Sequence, residues 1–222
     1  MELQKSAFLN YEWNSWFDRN RRALLNYKIE DDKIISLLKS YKQNTDNILE
    51  IGCRAGYKLN DFKNVFPHAN VFGIELPINA IEFGKPKYSS VNFKHRTADD
   101  MKCYEDAQFD VVIVEFVFYV IDRSILFKSV AEINRVVRNR VYLIIKDFFS
   151  QTALKKNYHQ IENFSAYTFK QNYEEIFRAL ELYHLMGKSS FDHGSLGHDS
   201  NASFQNQFSI TLLKKDLDAS YK

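Results

Sequence analysis

A chain of 222 residues is long enough to bury one full α/β core and short for two. Its 30 basic and 28 acidic side chains leave a net charge of +2, so no global field recommends nucleic acid or a membrane surface as partner. Two cysteines, Cys53 and Cys103, are too few for a disulfide framework or a cysteine-built zinc site, and the strongest apolar run, Val111 to Ile121, is interrupted by Glu115 and too short to span a bilayer.

The amino terminus has no apolar core of the signal-peptide kind, which predicts a cytoplasmic protein. Residues 1–27 carry Phe8, Tyr11, Trp13, Trp16, Phe17, Leu24 and Leu25 around Asp18-Arg19-Asn20-Arg21-Arg22. They read as a helical lead-in that packs on one end of a sheet or closes over a ligand, with Arg19, Arg21 and Arg22 on a solvated face. Asp31 to Tyr41 follows as an amphipathic helix with Ile34, Ile35, Leu37, Leu38 and Tyr41 on its apolar side. Asn47 to Ile51 is a short apolar run stopped by Gly52, and Leu59, Phe62, Val65 and Phe66 then recur at helical spacing. The chain therefore passes from strand through a tight glycine turn into a helix, the place where open α/β sheets bind ligands. A dinucleotide fingerprint would need glycines at the first, third and sixth positions, which here hold Gly52, Arg54 and Tyr57.

Beyond Pro67, Asn70 to Leu76 reads as the second strand, with Glu75 near its end. Ile78 to Phe83 is a short helix, Val91 to His95 a third strand, and Thr97-Ala98-Asp99-Asp100-Met101 a loop. Phe109 to Glu115 is a fourth strand, Ser124 to Val137 a helix, and Val141 to Ile145 a fifth, buried strand ended by Lys146-Asp147-Phe148-Phe149. A long connection containing Asn157 to Asn163 and Tyr167 precedes a helix over Tyr173 to Leu182. Two strands follow, Leu182 to Phe191 and Phe204 to Lys214, flanking Asp192 to His198. No internal repeat or linker divides the chain. One domain, 1–222, is expected: a lead-in over 1–42, a core over 45–146, and an acceptor-side connection with the last strands over 147–222.

Glu50, Gly52 and Gly56, then Glu75, the Asp99-Asp100 loop and Phe109-Asp110-Val111-Val112 resemble, in order and spacing over residues 45–146, the class I S-adenosylmethionine-dependent methyltransferases. Their motif I is written E/D-x-G-x-G-x-G, and Arg54 departs from it at the middle glycine. The resemblance implies a Rossmann-like, doubly wound, mostly parallel seven-stranded sheet with a terminal antiparallel strand, and S-adenosylmethionine as cofactor. It places Glu50, Gly52, Cys53 and Gly56 around the cofactor turn, and Glu75 with Leu76 at the ribose. Asp99 or Asp100 would meet the adenine amino group, with Met101 against the ring. Glu115 would stand at the end of the fourth strand and Trp16 in the lid. Arg54 is expected to turn outward, away from the cationic sulfonium, toward a carboxylate of the lead-in.

Methyl transfer is a direct displacement, so alignment does most of the work, and a hydroxyl acceptor also needs a base. His68, His95 and His184 lie away from the ligand end, and the positions after the fourth strand where many relatives carry histidine hold Tyr119 and Val120. His159 is therefore the first candidate base, with Asp147 as its partner or substitute, ahead of His193 and His198. No metal is called for. The Asp/Asn-Pro-Pro-aromatic motif of DNA amino-group methyltransferases is absent, because the three prolines, Pro67, Pro77 and Pro86, all lie upstream. What is left is an O-methyltransferase acting on a small polar acceptor, a hydroxyl of a sugar or glycan precursor such as a nucleotide-linked sugar. The lead-in and the Lys-Asp-Phe-Phe strand end are similar to pseudaminic-acid-associated methylases of surface-polysaccharide biosynthesis. The alternative is a methyltransferase-like binding protein without catalysis, for which Arg54 is the best support.

Overall fold

A computed structural model describes residues 4, 8, 12–25, 28–41, 45–161, 166–192 and 207–220. The strands are β1 (Asn47–Ile51), β2 (Asn70–Glu75), β3 (Val91–His95), β4 (Phe109–Glu115) and β5 (Val137–Phe148), then β6 (Leu154–Asn157), β7 (Tyr167–Lys170), β8 (Tyr183–Asp192) and β9 (Gln207–Lys215). The helices are α1 (Trp13–Leu25), α2 (Lys33–Tyr41), α3 (Tyr57–Val65), α4 (Ile78–Gly84), α5 (Leu126–Val136) and α6 (Glu174–Arg178). Seven strands form one sheet in the order β3-β2-β1-β4-β5-β9-β8. The first five are parallel, β9 runs antiparallel to β5, and β8 antiparallel to β9. This is the Rossmann-like, doubly wound sheet expected from the sequence.

Every residue of β4 is buried, which is why Phe-Asp-Val-Val-Ile-Val-Glu reads as a continuous run with no alternation. Side chains leave each strand alternately. Leu49, Ile51, Val112, Val114, Leu143 and Ile145 therefore pack with Leu126, Ile133 and Val136 of α5 on one face. Ile48, Val111, Ile113 and Ile144 pack with α2 and α3 on the other, against Ile34, Leu38, Leu59 and Phe62. Asp32 starts α2 by accepting the N–H groups of Ile34 and Ile35 at 2.8 and 3.0 Å. α1 lies along α4, with the Phe17 and Phe83 rings 5.7 Å apart and the Arg21 guanidinium 4.3 Å from the Phe83 ring. Among the described residues no helix is long and apolar enough to cross a membrane.

The sequence reading differs from the structure mainly after β4. Strand β5 starts at Val137, directly from α5, because the polar stretch Arg138-Asn139-Arg140 continues the strand beside Phe109 instead of forming a turn. Helix α6 is shorter than Tyr173 to Leu182, and the long connection contains a hairpin, β6 with β7, that the sequence reading left as loop. Lys155, Lys156 and Asn157 give that hairpin no apolar alternation to detect. It is fastened to the loop after β4 by the Phe169 N–H, which donates to the Tyr119 carbonyl at 2.8 Å.

Candidate active site

The strand order reverses between β1 and β4, since the chain steps outward to β2 and β3 and then returns to the other side. The crevice above the carboxyl ends of β1 and β4 is where this geometry opens a site. Its floor is the turn Gly52-Cys53-Arg54-Ala55-Gly56, in which Gly52, Arg54 and Gly56 all have positive φ, 82°, 54° and 81°. A Cβ on Gly52 would lie 2.6 Å from Val117 Cγ2 and 3.0 Å from the Glu115 carbonyl, and one on Gly56 would strike the Phe93 ring. These two positions need glycine for both reasons.

Arg54 takes the same left-handed conformation without glycine's freedom, at a cost of about 1 kcal/mol or more. It is held there by its own bonds. Its N–H donates to the Glu75 carboxylate, and its guanidinium donates to the Tyr57 hydroxyl at 2.7 Å and approaches Glu115 at 3.4 Å. The side chain therefore does not turn outward to the lead-in, as charge repulsion alone suggested. Buried Glu115 draws it across the cleft floor, 5.8 Å from the Trp16 ring and 6.0 Å from that of Phe116.

Glu75 ends β2, buried at the cleft wall, and also accepts the Leu76 N–H at 2.8 Å. Burial pushes its carboxyl up while those two N–H donors hold it down. Asp99 is buried and lines the cleft with Thr97 and Ala98, and Lys128 lies 3.6 Å from it. Asp100 is exposed and does not line it. Met101, expected against an adenine ring, is 0% exposed and packs in the core with Phe109 and Tyr104. Its backbone is fixed there, the N–H donating to Glu132 and the carbonyl accepting from Arg135, both at 3.0 Å. Cys53 is likewise turned into the core beneath Gly73, and Gly56 lies off the cleft wall against Phe93.

Under the floor lies a charge cluster that the sequence reading did not find. The Lys58 ammonium donates to Glu115 and lies 3.2 Å from Asp32 and 3.9 Å from Glu50. Glu115 also takes Lys146 at 2.9 Å. Its surrounding cations, Lys146 first, hold its carboxyl well below the usual range against a strong desolvation penalty, whereas burial dominates at Glu50 and pushes it up. Glu50 Oε2 has no hydrogen-bond partner among the described residues. Of this cluster Glu115 and Arg54 reach the cleft, and Glu50 stays below it.

The acceptor side departs furthest from expectation. Asp147 is fully buried and accepts the N–H groups of Val117, Phe118 and Phe148 at 3.1, 2.8 and 2.7 Å. It fixes the loop after β4 and does not line the cleft, and burial pushes its carboxyl up to about 7. His159 is exposed, its ring 6.1 Å from that of Tyr158, and no hydrogen bond joins it to Asp147. It turns away because its neighbour Tyr158 takes the inward position, donating its hydroxyl to Glu12. His193 and His198 lie outside the described residues. The walls here are Phe8, Glu12, Phe116, Tyr119, Val120 and Tyr158. None of the sequence signals separated Glu12 or Tyr158 from their polar neighbours.

Residues 42–192 match the model of a methyltransferase-domain family. The chain belongs to the class I S-adenosylmethionine-dependent methyltransferases. No match was found among curated proteins. Among solved structures, this methyltransferase is similar to the Burkholderia thailandensis 1,6-didemethyltoxoflavin-N1-methyltransferase with bound 1,6-didemethyltoxoflavin and S-adenosylhomocysteine. The TM-score is 0.72 at 12% identity, over 96% of this chain and 88% of that one. It is also similar to a TehB-like S-adenosylmethionine-dependent methyltransferase from Corynebacterium glutamicum, with a TM-score of 0.60 at 14% identity, over 91% of this chain and 97% of the other. A Methanosarcina mazei S-adenosylmethionine-dependent methyltransferase gives 0.62 at 16% identity over 82% and 98%. At these identities the likeness is one of fold.

The methyltransferase's own residues fit S-adenosylmethionine. Gly52 lines the cleft with bare main chain, and Glu75 presents acceptor oxygens of the kind two vicinal hydroxyls need. Leu76, Pro77, Ala80 and Ala98 supply an apolar wall, with the Asp99 carboxylate beside it.

Proposed function

We propose that this methyltransferase transfers the methyl group to a small acceptor bound between the loop after β4, the lead-in and Tyr158. The observation that carries this reading is the continuity of the cleft. One space of about 1070 Å³, counting its open mouth, is lined by Gly52, Glu75 and Asp99 at one end and by Glu12, Tyr119 and Tyr158 at the other. That size suits a cofactor with a small partner. Bound S-adenosylmethionine supplies an electrophilic methyl group, and the chain's task is to align a nucleophile with it and exclude water. In this reading Glu75 holds the ribose hydroxyls, Asp99 the adenine amino group, and Trp16 and Phe17 cover the site. Asp147 positions Tyr119 by bonding the loop that bears it.

The first candidate base for a hydroxyl acceptor, His159, does not line the cleft. The aromatic wall of the cleft, Phe8, Phe116, Tyr119 and Tyr158, suits a small acceptor with a flat face. The Burkholderia enzyme, an N-methyltransferase with a small-molecule acceptor, shares this fold. Free cysteines, Cys53 buried and Cys103 exposed, suit a reducing, cytoplasmic setting.

Calorimetry with S-adenosylmethionine, S-adenosylhomocysteine and NAD tests the cofactor assignment. Both sulfur compounds should bind and NAD should not. Glu75→Ala should weaken S-adenosylhomocysteine by about 1.5–3 kcal/mol, the range for hydrogen bonds to a charged group. Undiminished binding by that variant would remove Glu75 from the site. Release of S-adenosylhomocysteine with small-molecule acceptors then separates an active enzyme from a binding protein.

A further inference from the structure

Glu12 sits on the acceptor wall with a side-chain oxygen unused. The residue is 1% exposed. Its Oε1 accepts from the Arg19 guanidinium and the Tyr158 hydroxyl, while Oε2 has no hydrogen-bond partner among the described residues. A carboxylate oxygen shut away from water without a donor is costly, and Glu12 is one of the residues that line the cleft, where a ligand would supply that donor. An ionised carboxylate only accepts, so the missing group must be an N–H or O–H. Arg19 already supplies a countercharge, so the donor need not be a cation.

The surroundings define the rest of the ligand. Phe8 and Tyr158 lie with ring centroids 5.1 Å apart and tilted by 44°, Phe116 and Tyr119 stand edge to face at 6.4 Å, and Val120 and Ile121 complete the wall. Such a surface matches the face of a flat ring. We propose that Glu12 is a specificity-determining residue that reads a flat aromatic acceptor by accepting a hydrogen bond from a donor on its ring. This rests on the small-acceptor reading and adds the acceptor's chemistry to it.

The test uses the full chain saturated with S-adenosylhomocysteine and matched fragments differing in one donor. Suitable pairs are benzimidazole with 1-methylbenzimidazole, 3-methyllumazine with 1,3-dimethyllumazine, and 2-naphthol with 2-methoxynaphthalene. Binding is read by calorimetry or ligand-observed NMR. In at least one pair the donor-bearing member should bind about tenfold or more tightly, because the blocked analogue leaves Oε2 unpaired. Glu12→Ala should erase that preference while S-adenosylhomocysteine affinity stays within about twofold, which also shows that the variant is folded. His159→Ala, outside the cleft, should keep the preference. Equal binding within every pair, or no donor-bearing fragment bound at millimolar concentration, overturns the proposal. So does a Glu12→Ala variant that keeps the preference and loses S-adenosylhomocysteine, since the oxygen would then serve the cofactor's ammonium group. Failure of the wild type to bind S-adenosylhomocysteine would instead defeat the methyltransferase reading beneath it.

Discussion

Arg54 illustrates how one residue can satisfy a backbone that its type disfavours. With φ at 54° it occupies a glycine conformation, and its N–H still meets Glu75 as a glycine N–H would. Arg54→Gly should relieve about 1 kcal/mol of backbone strain, and Glu115 would keep Lys58 and Lys146. Thermal melting should therefore show little loss. We expect S-adenosylhomocysteine affinity to fall severalfold, because a guanidinium on the cleft floor suits the cofactor's carboxylate. A rise in affinity would mean that the side chain crowds the site. Lys58 is a stronger case at this scale. Lys58→Met would leave Glu50 and Asp32 buried without their shared cation, and a destabilisation of about 3–5 kcal/mol is expected by denaturant titration. Glu75 was legible in the sequence because it closes a strand at a fixed distance from the glycine turn. Lys58 and Glu12 were not, since linear pattern does not say which polar residue of a helix points inward.

The loop after β4 owes its position to Asp147 of β5. The folded carboxyl keeps its proton up to about 7, against an ordinary value of 3.8. Between those values the unfolded chain is ionised and the folded one is not, so this group's stabilisation is full below about pH 4 and is lost as pH rises through 7. Melting temperatures of wild type and Asp147→Asn across that range should show the wild type declining relative to the variant. A constant difference would place the titration elsewhere. Helix α4 matters in another way: a Cβ on Gly84 would collide with the Ala55 carbonyl in the motif turn. Gly84→Ala should cost about 1–3 kcal/mol by overpacking and weaken S-adenosylhomocysteine with it. Strands β1, β2 and β4 could be read from the sequence because buried parallel strands are mostly apolar and here stop at a glycine or an acid, and β3 because Val91 and Phe93 alternate with polar residues. The β6–β7 hairpin could not, because its strands are short and half-exposed. The exposed position of His159 was hidden with it, since pairing within that hairpin and the contact of Tyr158 with Glu12 set which neighbour faces inward.

At the scale of the molecule, β9 lies between β5 and β8, pairing Tyr142 with Lys214 on one side and Tyr183 with Lys215 on the other. Of the seven strands it is the last to be synthesised. Until it emerges from the ribosome, the parallel half of the sheet presents β5 as a raw edge, and β8 has nothing to pair with. The nascent chain thus carries an adhesive flank over the last third of its synthesis, from Phe148 until β9 is complete, and a chaperone that shields extended edges would have its longest window here. Released fragments that end before Gln207 should be captured by such a chaperone or aggregate, whereas fragments that extend beyond Lys215 should yield a protease-resistant domain.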